Sequence, residues 1–373
     1  MSWSWKIGRI SGIPIYVHWT FLILIAYLIY GHWSSGHDLA TTAEGVGFVL
    51  SIFGCVVLHE LGHAMAARRY GVPTADITLL PIGGVARLQR IPEHPAEELV
   101  VAIAGPLVNV AIVGLLLMIG VRYPESSGDS EFLVKQHFLP KLLVVNTFLV
   151  LFNLLPAFPM DGGRVLRALL AMRMEYSRAT RLAASVGQFM AILFGFLGLM
   201  GNPMLLLIAM FVWIGAEGEA RAVQERVELR GVSVRAAMLT DYAILKPGDT
   251  LGHAADLLLA GTQQDFPVIG DGRPDGVLTR SSLFSGLSTN GREGLVGEAP
   301  LIELGRVEVA EPLGPAVIRL REGGEPCLEV VDQGRPVGLL TLENIGEYLM
   351  IRTALAEAKS VATRRPAQES STL

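Results

Sequence analysis

Charge is scarce in this chain. Only 17% of its 373 residues are Asp, Glu, Lys or Arg, against about a quarter in soluble domains. That fraction is low for a soluble protein and points to a membrane domain. A basic excess is missing too: the net charge is −5, so nothing points to a nucleic-acid partner. Cysteine is nearly absent. Cys55 and Cys327 are the only two, one in an apolar stretch and one in a soluble-looking region, which leaves no disulfide framework. No cleavable leader is evident either. The stretch 13–30 follows Lys6 and Arg9 without a convincing small-residue cleavage site, so it reads as a retained first span. What the chain has in quantity is apolar sequence, 51% of the total, crowded into the first 217 positions.

Six apolar segments stand out, at 13–31, 46–67, 99–121, 138–156, 183–200 and 203–217. They predict a polytopic α-helical membrane domain of about six spans over residues 1–220. The linkers set its orientation. Those at 32–45, 122–137 and 201–203 hold only Arg122 and Lys135, whereas the opposite ones carry Arg68, Arg69, Arg87 and Arg90, then Arg164, Arg167, Arg173, Arg178 and Arg181. The Arg-rich loops, and with them both termini, are expected in the cytoplasm.

The second segment carries Leu58-His59-Glu60-Leu61-Gly62-His63. On a helix, positions four apart share a face, so His59 and His63 can grip one metal ion with Glu60 beside the attacking water. His and Glu at membrane depth are expensive, so function is the default reading there. At 1.5 Å per residue the pair would lie within about 15 Å of the cytoplasmic boundary. A hydrolytic zinc takes three protein ligands and keeps one open position. Asp161 is the best candidate for the third, because it sits in a helix-breaking run, Asn153-Leu154-Leu155-Pro156-Ala157-Phe158-Pro159-Met160-Asp161-Gly162-Gly163. Helix capping is the bland alternative for it. Glu60 would move the proton, and Asn153 or Asn109 could donate to a developing oxyanion. Asn109 serves equally well as glue between helices. His18, before Trp19, reads mainly as an interfacial anchor, and His94 as a solvated loop residue. Between the second and third segments, 72–88 alternates weakly around Gly83-Gly84. It predicts either a short hairpin dipping toward the site or a plain interfacial loop.

From Gly231 the character changes. Two segments repeat with a period of 62 residues: Phe266-Pro267-Val268-Ile269 leading to Gly276-Val277-Leu278-Thr279, and Cys327-Leu328-Glu329-Val330 leading to Gly338-Leu339-Leu340-Thr341. Each reads strand, turn, strand, helix start, with a preceding helix at 251–262 and at 312–322. A unit of this kind closes its core against its copy. The polar tail 353–373 is expected to be disordered.

With these residues in view, the first part resembles the site-2 protease family of intramembrane zinc metalloproteases. The resemblance rests on His59-Glu60-x-x-His63, Pro81-Ile82-Gly83-Gly84, Ala104-Gly105-Pro106 and Asn153-Leu154-Leu155-Pro156…Asp161-Gly162-Gly163-Arg164, across residues 5–217. It implies one Zn2+ per chain with Asp161 as third ligand, and Asn153 close to the scissile bond. It further implies strand pairing of an unwound substrate at Gly83-Gly84, and cleavage of transmembrane protein substrates within the lipid bilayer of a prokaryotic plasma membrane. The soluble part resembles a pair of cystathionine β-synthase (CBS) domains, an α/β fold, with repeats at 231–290 and 296–352. Such pairs often bind adenine nucleotide. This chain has Ser282 and Asn344 where an aspartate often contacts the ribose, so a structural role, or homodimerisation through the pair, stands beside nucleotide binding. No PDZ-like insertion is apparent.

Two other functions fit parts of the pattern. A metal-binding transporter or channel gated by the CBS pair would show two copies of a broken span, and only one break is visible, around Asp161. A catalytically dead membrane adaptor would have no use for Glu60 beside the metal.

Overall fold

The computed structural model describes residues 3–36, 38–81, 83–88, 94–124, 137–270 and 273–363. The chain divides into two compact units, Met1–Val223 and Gln224–Leu373. The division falls within one helix rather than at the expected 220/231 boundary.

Unit one opens with strands β1 (Ser4–Ile10) and β2 (Ile13–His18), joined by the turn Ser11-Gly12. Both turn residues have positive φ, as a two-residue hairpin turn requires. Helices α1 (Trp19–Ser34) and α2 (Leu39–Arg69) follow, then β3 (Thr74–Leu80) and β4 (Gly83–Leu88). The four strands form one sheet in the order β1-β2-β3-β4. β2 runs parallel to β3, with Ile15 opposite Ile77 and Val17 opposite Leu79; the other two pairings are antiparallel. The expected hairpin at 72–88 is therefore present, but as half of a larger sheet. The expectation of a helix from residue 13 is corrected: 13–18 is a strand. Ile13, Ile15 and Val17 alternate buried with partly exposed neighbours, the period of a half-buried strand. They pack with Ile77 and Leu79 onto Phe21, Phe53, Val57, Leu61 and Ala64.

The rest of unit one is helical: α3 (Pro95–Met118), α4 (Phe138–Asn153), α5 (Asp161–Ala171), α6 (Tyr176–Met200) and α7 (Met204–Leu229), the last crossing into unit two. Among the described residues, α2, α3 and α6 are long and apolar enough to cross a membrane; α1 and α4 are apolar but shorter. The outward helix faces are apolar, unlike those of a water-soluble bundle, and several polar groups lie inside. Leu117, Met118, Phe189, Ile192 and Phe196 face outward, while Asn109, Asn146 and Arg167 are completely buried. Apolar outside and polar inside suits hydrocarbon surroundings.

Unit two holds the repeat. Its elements are α8 (Leu251–Ala260), β5 (Phe266–Gly270), β6 (Arg273–Leu278), α9 (Arg280–Asn290), β7 (Gly305–Glu308), α10 (Leu313–Glu322), β8 (Leu328–Asp332), β9 (Arg335–Leu340) and α11 (Leu342–Thr363). The 62-residue offset holds at the level of single pairs. Leu245 bridges Val268 in parallel, as Val307 pairs with Val330. The repeats also exchange their leading segments. Leu239, near the start of the first repeat, exchanges two backbone hydrogen bonds with Leu339 on β9, and Ile302, near the start of the second, does the same with Val277 on β6. Neither half completes its sheet alone. The expected disorder from 353 is corrected as far as 363, because α11 continues to Thr363. The segment is rich in Ala, with Leu, Glu and Lys, all strong helix formers whatever their polarity. Residues 364–373 of that tail lie outside the described residues.

The exchange predicts a weak point. Gly276 has φ +150°, and a Cβ there would meet the carbonyl oxygen of the crossing residue Ile302 at 2.7 Å; at the equivalent Gly338 a Cβ would meet the oxygen of Leu239 at 2.9 Å. Gly276→Ala is expected to destabilise the repeat pair by about 1–3 kcal/mol. Thermal denaturation of the full chain followed by circular dichroism checks this.

Candidate metal centre

His59 and His63 lie one turn apart on α2, and Asp161 is the first residue of α5. All three are buried. Their donor atoms form a triangle: His59 Nε2, His63 Nε2 and Asp161 Oδ2 are each 3.1 Å from the other two. Tetrahedral zinc with bonds of 2.0–2.1 Å holds its donors about 3.3 Å apart, so the set has the size and chemistry for that ion. No other group of three His, Cys, Asp or Glu donors converges in this way among the described residues.

The outer nitrogen of each imidazole is engaged. His63 Nδ1 donates to the Val101 carbonyl on α3 at 2.7 Å. His59 Nδ1 donates to Asn109 Oδ1, also on α3, at 2.5 Å. Asn109 Nδ2 donates in turn to Asn146 Oδ1 on α4 at 2.9 Å, and Asn146 Nδ2 donates to the Leu142 carbonyl at 2.9 Å. In the neutral tautomer these bonds select, with the proton on Nδ1, the Nε2 of each ring is the nitrogen that faces the triangle. This is the outer-layer orientation that ligating histidines need.

Close packing holds the helices together. A Cβ at Gly105 would overlap the His63 ring, and one at Gly62 would come within 2.7 Å of the Ala104 carbonyl oxygen. The Ala104-Gly105-Pro106 run is therefore the surface against which α2 presses its histidines. Asp161 is brought in by the break after α4. The cap residue of α5 is Met160, without a side-chain bond, so the capping alternative for Asp161 does not hold.

Glu60 is half-buried next to His59. A Cβ at Gly84 would sit 3.0 Å from the Glu60 Cγ, so β4 runs directly beside this side chain. Gly83 starts the same strand. Asn109 takes the place expected of it as glue between helices. Its amide is completely buried and engaged on both sides, by His59 and by Asn146. Asn153, the last residue of α4, donates to the Leu149 carbonyl of its own helix at 3.0 Å. His18 caps α1 and bonds Thr20, and His94 is exposed at the start of α3; neither joins the triangle. Sequence reasoning missed Asn146 and the Val101 carbonyl. A second Asn in the apolar segment that ends at Asn153 is the available sign for the first; a backbone carbonyl leaves none.

In unit two, Thr279 Oγ1 accepts from the Ser282 backbone N–H at 3.1 Å, and Thr341 Oγ1 from that of Asn344 at 3.3 Å. Both side chains at those third positions also bond their threonine. Cys327 is buried, and burial pushes its thiol up to about 12, so it is an inert core residue.

The sequence matches Peptidase family M50 over residues 47–128 and 125–194 and the CBS domain over residues 234–289. It is 36% identical to zinc metalloprotease MJ0392 of Methanocaldococcus jannaschii, over 73% of this chain and 77% of that one. It is 29% identical to Rip3 of Mycobacterium tuberculosis across 96% of both chains. The solved site-2 protease from Methanocaldococcus jannaschii covers 58% of this chain and 95% of its own length, with 38% identity and a TM-score of 0.44. The identity to MJ0392, sustained over most of both sequences, establishes that this chain belongs to peptidase family M50, the site-2 protease family of zinc metalloproteases, and carries a CBS domain.

Proposed function

We propose that this chain is an intramembrane endopeptidase that cuts transmembrane segments of membrane-anchored proteins. The observation that carries the reading is the buried triangle of His59, His63 and Asp161 inside a bundle whose outward faces are apolar. In this reading the three residues hold one zinc ion. When bound, the metal supplies Lewis acidity, polarising the scissile carbonyl and acidifying water at its open position. Glu60 takes the proton from the attacking water and delivers it to the departing amide nitrogen. Asn109 and the Val101 carbonyl keep both rings aimed.

A helical substrate offers no free carbonyl, so it must be unwound and held extended. β4 is an outer strand of the sheet and passes beside Glu60. A substrate strand adding to it at Gly83 and Gly84 would lay its backbone across the site. Asn153 reaches the scissile region in this scheme by exchanging its bond to Leu149 for one to substrate.

The remaining apolar helices α1, α4 and α7 complete about six spans with the three long ones. Arg-rich loops favour cytoplasmic termini in a prokaryotic plasma membrane. The CBS pair would then be cytosolic and regulate access by conformation or by homodimerisation. Engagement of Ser282 and Asn344 with their threonines favours such a role over adenine-nucleotide binding. The transporter alternative has no counterpart among the relatives named as proteases.

Glu60→Gln is expected to lower cleavage of a reconstituted transmembrane substrate by about 10²–10⁴-fold while zinc content by elemental analysis stays at one per chain. Cleavage at the wild-type rate would remove Glu60 from this role. Asn109→Leu frees His59 to rotate. Its zinc affinity should fall about 10–100-fold, read by competition with a chelator.

A further inference from the structure

A second polar cluster lies behind the triangle. Arg167, on α5, is completely buried. Its Nε donates to Glu98 Oε1 on α3 at 2.7 Å, and a terminal N–H donates to the same oxygen. The other terminal nitrogen donates to Glu219 Oε1 on α7 at 2.5 Å. The guanidinium lies over both the Phe158 and the Tyr176 rings, 5.0 Å from each centroid.

Every one of these grips except Glu219 and Tyr176 bears on a segment that serves the metal donors. Glu98 is three residues before Val101, whose carbonyl orients His63. Phe158 is three residues before Asp161, and Arg167 itself is six after it on the same helix. The Glu98–Arg167 pair thus ties the turn of α3 that aims one ligand to the helix that presents another, gripping α5 between one and two turns beyond Asp161. A buried ion pair is a poor device for stability, because desolvation cancels most of its attraction. Arginine suits a geometric task better than lysine: its planar fork bonds two carboxylates and stacks on rings at the same time.

We infer that Arg167, through Glu98, is a positioning residue that fixes the distance between Asp161 and His63. This inference rests on the zinc reading above. The Glu219 arm holds α7, which carries none of the three donors, and so it acts as an internal control.

The test uses the full-length protein in detergent. Zinc affinity is measured by chelator competition, and folding by thermal denaturation of the metal-free forms, for wild type, His59→Ala, Glu98→Gln, Glu219→Gln and Arg167→Lys. The expected result is that Glu98→Gln and Arg167→Lys bind zinc roughly tenfold or more weakly, while Glu219→Gln stays within about twofold of wild type, as expected for a carboxylate that orients no ligand. Unchanged affinity in Glu98→Gln overturns the inference. Equal weakening in Glu98→Gln and Glu219→Gln overturns it too, since the cluster would then be general scaffold. If Glu98→Gln does not fold, Arg167→Lys is read in its place, and misfolding of both again marks a scaffold. Failure of the zinc reading is told apart by the controls: wild type would bind no zinc, or bind it no better than His59→Ala, and the inference would fall with it.

Discussion

Three lone pairs converging within 3.1 Å of one another repel unless a cation or protons lie between them. In an apolar bundle that repulsion is only weakly screened. Such a set persists only if the donors cannot turn away, and much of the surrounding structure follows from that constraint. Each imidazole is fixed through its outer nitrogen, one by a backbone carbonyl and one by an asparagine that is itself held by a second asparagine. Gly105 gives the His63 ring its space, and the break before α5 turns Asp161 inward.

The part of this arrangement legible in the sequence is the part set by short-range geometry. His59 and His63 share a helix face because they are four apart, and that needs no knowledge of the fold. Asp161 was legible because a carboxylate in a Pro- and Gly-broken run beside an apolar segment has few structural uses. Asn146 was not, since its task depends on meeting Asn109 from a different helix. In the sequence Arg167 reads only as a loop charge that orients the chain in a membrane. Its burial against Glu98 and Glu219 is a tertiary fact, invisible to local pattern. Strand β2 was absorbed into a predicted helix because six alternating residues adjoin a longer apolar run, and length dominated the reading.

Unit two separates the same two kinds of information. The period of 62 residues is written in the sequence, and the paired elements appear where it places them. The reciprocal exchange of Leu239 and Ile302 is not written there. Each crossing segment is a single bridge, too short to carry a strand pattern. Two glycines at equivalent positions, Gly276 and Gly338, are its only trace, because each leaves room for a crossing carbonyl.

Placing β4 against Glu60 bears on how a peptide bond could be cut in such surroundings. A transmembrane helix satisfies its own backbone, and opening it in hydrocarbon leaves N–H and C=O groups without partners. An outer strand supplies those partners at the moment of opening, so the unwound form is stabilised only where it lies along the strand. Gly84 lets that strand approach the Glu60 side chain at van der Waals distance. The segment that is able to unwind is then also the segment presented to the base. If the proposed function holds, substrate choice would be governed less by side-chain pockets than by how readily a helix opens, and helix-weakening residues such as glycine or proline would favour cleavage.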